Sequence, residues 1–217
     1  MRSTDESPYS SPELVRRQLG SGRADPTAFR AALRSIPEAE RDAWVDLVLE
    51  LGDLPADSPE LPRGCVPYLP CSVNTLLRMI ELADVRCDDV FVDIGCGIGR
   101  ATAVTHLLTG ATAIGLEIQS ALAGAARELA WRLNAPRLTV VEGDAAKLAC
   151  ELASGSVFFL YCPFSGERLD RVIDDIGSAA KSREVRVCSV DLPIPARPWL
   201  TPVSVSGDLA VYRSASL

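Results

Sequence analysis

From Ser72 onward the chain alternates two patterns: apolar residues at helical spacing, then short runs with too few polar positions to have a solvent side. Ser72-Val73-Asn74-Thr75 opens a helix that buries Leu76, Leu77, Ile80 and Leu82, and residues 90–94 form a buried strand. The alternation continues through helix 101–108, strand 113–117, helix 120–133, strand 138–141 and a weak helix 145–152. An apolar strand 157–161, a helix 167–180 and a strand 185–190 follow. Residues 203–206 and 209–212, joined through Gly207-Asp208, read as a hairpin that adds antiparallel strands at one edge. Strand and helix in turn predict an α/β fold, a doubly wound, mostly parallel sheet covered on both faces.

Before this region the punctuation differs. Nine of the fifteen prolines lie in residues 1–70, and only Pro136 and Pro163 lie between 71 and 192. Ser11-Pro12-Glu13 and Asp25-Pro26-Thr27 read as capped helix starts, and Pro37 opens a third helix carrying Trp44, Leu47, Val48 and Leu51. Residues 1–66 are therefore a helical N-terminal extension whose first ten residues read as disordered, and 67–217 a single domain. The extension is either a structural flange or a lid, and its leucine and aromatic positions could equally form a homodimer surface.

Composition narrows the function. The formal charge of −7, with no basic run longer than Arg16-Arg17, argues against long nucleic acid as a partner. With no apolar run long enough for a membrane span and no secretory signal at the start, the expected location is cytoplasmic. Seven cysteines without a Cys-x-x-Cys and one histidine, His106 in mid-helix, give no metal site.

The chemistry concentrates at strand ends. Val92-Asp93-Ile94-Gly95-Cys96-Gly97-Ile98-Gly99-Arg100 is a strand running into a glycine-rich turn and then a helix, the place where doubly wound sheets bind ligands. Arg100 stands where a dinucleotide fingerprint needs its third glycine, and no Walker loop occurs. Asp93 suits a ligand bearing an ammonium group better than a pyrophosphate. Glu117, ending Ile114-Gly115-Leu116-Glu117, can accept from both hydroxyls of a ribose. Asp144, in Glu142-Gly143-Asp144-Ala145, can accept from an adenine amino group while the Ala145 N–H meets a ring nitrogen.

Together VDIGCGIGR, GLEI and VEGDA resemble the class I S-adenosylmethionine-dependent methyltransferases, and the likeness runs from about Pro67 to the C-terminus. It implies a seven-stranded sheet with its last strand antiparallel. It implies S-adenosyl-L-methionine as cofactor, S-adenosyl-L-homocysteine as product, and a site of Asp93, Gly95, Cys96, Gly97, Gly99, Glu117, Ile118, Asp144, Ala145 and Tyr161. DLPIPARPWL is too rich in proline for that family's last helix, so an extended crossover is expected there. Tyr161-Cys162-Pro163-Phe164 resembles the Asn-Pro-Pro-Tyr/Phe motif of nitrogen methyltransferases with cysteine in place of asparagine. It places Cys162, Pro163 and Phe164 at the methyl acceptor. Tyr68-Leu69-Pro70-Cys71-Ser72 is similar to the segment that closes over the cofactor in non-SET protein lysine methyltransferases, which adds Tyr68 and Ser72 to the cofactor side. Tyr68, Tyr161 and Glu142 are the candidate general bases. The acceptor is then a protein side chain such as lysine, with a small-molecule methyltransferase and a non-catalytic cofactor-binding module as alternatives.

Overall fold

The computed structural model describes residues 11–21 and 25–215, so the disorder read for the first ten residues lies outside the described part. Helices α1 (Pro12–Gly20), α2 (Pro26–Ser35) and α3 (Arg41–Val48) precede α4 (Val73–Leu82). Then come β1 (Val90–Ile94), α5 (Arg100–Thr109), β2 (Thr112–Glu117), α6 (Ser120–Arg132), β3 (Leu138–Glu142) and the short α7 (Ala149–Leu152). The chain ends with β4 (Val157–Tyr161), α8 (Glu167–Ala179), β5 (Arg186–Val190), β6 (Leu200–Ser206) and β7 (Leu209–Ser214). The strands form one sheet in the order β3-β2-β1-β4-β5-β7-β6; β7 runs antiparallel to both neighbours and the other pairs are parallel.

Side chains alternate across the central strands, so adjacent residues serve different cores. Phe91 and Phe159 point to one face, their ring centroids 6.0 Å apart, where helices α1–α5 pack. Val92, Ile94, Phe158 and Leu160 point to the other, beneath α8. The N-terminal helices thus share a continuous core with one face of the sheet, through Leu19, Leu33, Trp44 and Val48.

Some expectations shift. Pro37 starts a 3-10 turn, Glu38–Glu40, and the helix proper begins at Arg41. Leu47 is 60% exposed and Val45 takes its place inside. In α4 the buried stripe is Leu76, Met79, Ile80 and Ala83, the i, i+3, i+4, i+7 set, which leaves Leu77 half-buried and Leu82 at the surface. Strand β6 starts three residues earlier than the pattern indicates, because Pro202 and a bulge between Pro202 and Ser204 break its alternation. Both devices suit an edge strand. The crossover from β5 to β6 holds no helix, as its prolines predict. His106 bonds the Ala111 carbonyl through Nδ1 at 2.8 Å. No helix among the described residues is long and apolar enough to cross a membrane.

Candidate active site

Chain order reverses between β1 and β4, so a crevice opens above their carboxyl ends. It holds about 910 Å³ of empty space, its mouth included, and is lined from β1, β2, β3 and β4 together with residues 61–71.

Asp93, at the end of β1, is 2% exposed, and its Oδ2 accepts from the Thr102 hydroxyl at 2.6 Å. Burial, with the nearby Glu117 carboxylate adding to it against the Thr102 bonds, pushes its pKa up to about 7. The turn that follows is stitched to β2: the Gly95 and Cys96 N–H groups both donate to the Leu116 carbonyl, at 2.8 and 3.0 Å. Gly97 has φ +55°, and a Cβ there would lie 2.0 Å from the Tyr68 ring. Gly97→Ala is therefore expected to cost about 1–2 kcal/mol from its backbone alone and to displace Tyr68. Urea unfolding checks this; an unchanged midpoint would mean that the ring and the turn relax freely.

Glu117 is also buried. Its Oε2 accepts from the Gly97 N–H and its Oε1 from the Gln119 N–H, each at 2.8 Å, so the carboxylate is fixed in place at the crevice wall. Burial raises its pKa against those backbone bonds. Asp144 caps the turn Ala145–Lys147 through the Ala146 N–H at 3.1 Å and pairs with Arg168. Burial raises its carboxyl, and the Arg168 and Ala146 bonds outweigh that and hold it below the ordinary aspartate value.

Residues 57–69 form a strap over the crevice. On one margin Asp57 Oδ1 accepts from the Tyr68 N–H at 2.9 Å and from Gln119 Nε2 at 2.8 Å, and Gln119 Oε1 accepts from the Ser58 N–H at 2.6 Å. On the other margin Cys65 bridges Phe164 in antiparallel fashion, and the Val66 N–H donates to the Pro163 carbonyl at 3.1 Å. Burial pushes the phenols of both Tyr68 and Tyr161 above their ordinary value. It also raises the thiols of Cys65, Cys71 and Cys96, Cys71 to about 12, so none of the three is a thiolate nucleophile at neutral pH.

Asp93, Gly95, Cys96, Glu117, Ile118, Asp144, Ala145, Tyr68 and Tyr161 all line this one crevice, as do Cys162, Pro163 and Phe164. Gly97 and Gly99 are not part of its lining: Gly97 lies against the Tyr68 ring and Gly99 against Ala126 of α6. Ser72 also stands apart: its hydroxyl caps α4, accepting from the Thr75 N–H at 3.1 Å. Glu142 sits at the outer edge of the sheet with Ser120 and Arg127, away from the crevice. Gln119, Arg168, Arg100 and Asp57 carry contacts that the sequence reading missed. Of these Arg168 and Arg100 leave a local sign, a cation in the first turn of a helix.

No family model matches the chain. The solved structure of an RNA methyltransferase from Salinibacter ruber, in complex with S-adenosyl-L-homocysteine, superposes with a TM-score of 0.55 at 26% identity, over 67% of this chain and 92% of that one. The chain has the fold of a class I S-adenosylmethionine-dependent methyltransferase. The chain also superposes on precorrin-6y C5,15-methyltransferase from Geobacter metallireducens, with a TM-score of 0.52 at 18% identity over 74% of this chain and 96% of that one. A local match, 49% identical over 35 residues, links it to a protein-lysine N-methyltransferase of Saccharolobus islandicus (strain REY15A). That match spans 16% of this chain and 22% of the relative.

Proposed function

We propose that this methyltransferase transfers a methyl group from S-adenosylmethionine to a protein side chain, lysine in the first instance. The observation that carries the cofactor part is the convergence of three carboxylates. Asp93, Glu117 and Asp144 stand at the ends of successive chain strands and line one crevice. Their chemistry fits the group: Asp93 faces the ammonium, Glu117 the ribose hydroxyls, and Asp144 with the Ala145 N–H the adenine edge. When bound, the sulfonium would supply an activated methyl group: the acceptor–carbon bond forms as the carbon–sulfur bond breaks, and the thioether departs neutral.

The protein's share is positioning and exclusion of water. The strap covers the crevice, and the aromatic rings of Tyr68, Tyr161 and Phe164 line it. Asp191, and Asp208 in its pair with Arg78, stand near Tyr161 and add to burial in raising its phenol, so acidic groups are present on the side where a cationic acceptor would approach. The local match to a protein-lysine N-methyltransferase supports the same acceptor. Because both phenols stay protonated at neutral pH and Glu142 lies elsewhere, an acceptor lysine has to shed its proton before attack. A small-molecule acceptor is the second reading, favoured by the strap itself, which encloses the crevice.

Incubation of the protein with methyl-labelled S-adenosylmethionine and a cell extract, separated into protein and small-molecule fractions, tests the acceptor. Label recovered as methyl-lysine in the protein fraction is the expected result, with a rate that rises between pH 7 and 9. Label found in small molecules alone would replace the lysine reading with the second one.

A further inference from the structure

Arg168 is electrostatically misplaced as a helix residue. It is the second residue of α8, where the positive end of the helix dipole favours acids, and Glu167 and Asp170 beside it follow that preference. Its side chain is only 20% exposed, and its Nε is buried without a hydrogen-bond partner. What it does make is an ion pair with Asp144 across 24 positions of sequence, at the wall of the crevice that both residues line.

The pairing is atom-specific. Arg168 Nη1 and the Ala146 N–H both donate to Asp144 Oδ1. Among the described residues no hydrogen bond reaches Oδ2, and the largely exposed Lys147 Nζ lies 4.0 Å from it. One carboxylate oxygen is therefore saturated by the protein, and the other is left as an acceptor with its direction set. We propose that Arg168 is a positioning residue for nucleobase recognition: by saturating Oδ1 it aims Oδ2 of Asp144 at the exocyclic amino group of the bound adenosine and so sets the preference for adenine over a 6-keto purine. This rests on the S-adenosylmethionine reading above. It adds a residue outside the three strand-end carboxylates, from the helix that covers the second face of the sheet.

The physical basis is a donor–acceptor match. An amino group donates to a fixed carboxylate oxygen, whereas a keto oxygen in the same place faces it lone pair to lone pair. Loss of the guanidinium frees Asp144 to turn, and a carboxylate that can turn away from the keto oxygen no longer penalises it. The charge-assisted bond is also lost, and with it the ordering that pre-forms the acceptor.

The test is titration calorimetry of the whole protein with S-adenosyl-L-homocysteine and with its hypoxanthine counterpart, S-inosyl-L-homocysteine, for the wild type, Arg168→Met and Arg168→Lys. Thermal unfolding first establishes that each variant is folded. The wild type is expected to prefer the adenine ligand by about 30-fold or more, and Arg168→Met to bind it about 10-fold more weakly while its preference falls below about 5-fold. Arg168→Lys, which can still donate to Oδ1, should recover part of the preference. A merely structural role would weaken both ligands equally; that result, or unchanged binding in Arg168→Met, would overturn the inference. Failure of the wild type to bind either ligand would instead overturn the reading on which it rests.

Discussion

Asp93→Asn is expected to weaken S-adenosyl-L-homocysteine binding about 100-fold or more while making the ligand-free protein more stable at pH 8. Both effects come from one buried carboxylate. In the empty crevice Asp93 has its pKa raised from 3.8 to about 7 by burial, then by Glu117, so the folded state holds a proton that the unfolded chain releases. The stabilisation from that proton is complete below pH 3.8 and is lost as the pH rises through 7, a difference on the order of 4 kcal/mol. Asparagine carries no charge to bury, so the variant is spared that loss and should unfold at higher urea at pH 8, with the gap closing towards pH 4. A bound ammonium gives the wild-type carboxylate its counter-charge, which asparagine cannot do. Wild-type affinity should accordingly increase from pH 5 to pH 8 as Asp93 ionises. Equal calorimetric affinities for the two proteins would remove Asp93 from the ligand's contacts.

Arg100→Met should destabilise the fold by about 3 kcal/mol, read from urea unfolding. Arg100 stands in the first turn of α5, where a dinucleotide-binding loop would have glycine, and is only 4% exposed. Its Nε donates to Asp46 Oδ1 at 2.6 Å, its Nη2 to Asp42 Oδ1 at 2.8 Å and its Nη1 to the Cys71 carbonyl at 2.6 Å. Asp42 Oδ1 also accepts from the Val73 N–H at 2.9 Å, so one guanidinium ties α3, the end of the strap and the start of α4 to the glycine turn. Methionine fills much of the volume and leaves the Cys71 carbonyl without this donor. Asp42 and Asp46, each with a side chain 45% exposed, can rehydrate, which keeps the cost below that of a fully enclosed pair. A midpoint within experimental error of the wild type would show that the N-terminal helices are held in place without the Arg100 contacts.

The parts legible in the sequence are those with a local signature. Val90–Ile94 and Val157–Tyr161 are apolar throughout save for Asp93, or save for the terminal tyrosine, because parallel central strands are covered on both sides; their bounds follow from composition. Asp93, Glu117 and Asp144 are visible because each terminates or follows a strand. The rest depends on contacts distant in sequence. Gln119 meets Asp57 across 62 positions and Arg100 meets Asp46 across 54, and no periodicity records such pairs. Ser72 shows the converse: a polar residue next to the site whose helix-capping role is the local signal itself. β6 was obscured because Pro202 and the bulge interrupt the two-residue period that marks a strand.

The strap has a kinetic meaning. It is fastened on one margin by the Asp57–Gln119 amide contacts and on the other by the short bridge of Cys65 and Val66 to Phe164 and Pro163. A ligand lodged beneath such a segment departs when its fastenings open, so residence time belongs to the backbone of residues 57–69 more than to the ligand's own contacts. Two molecules with the same dissociation constant would then arrive and leave at rates scaled by the same gate, and spent product would dwell as long as fresh reactant.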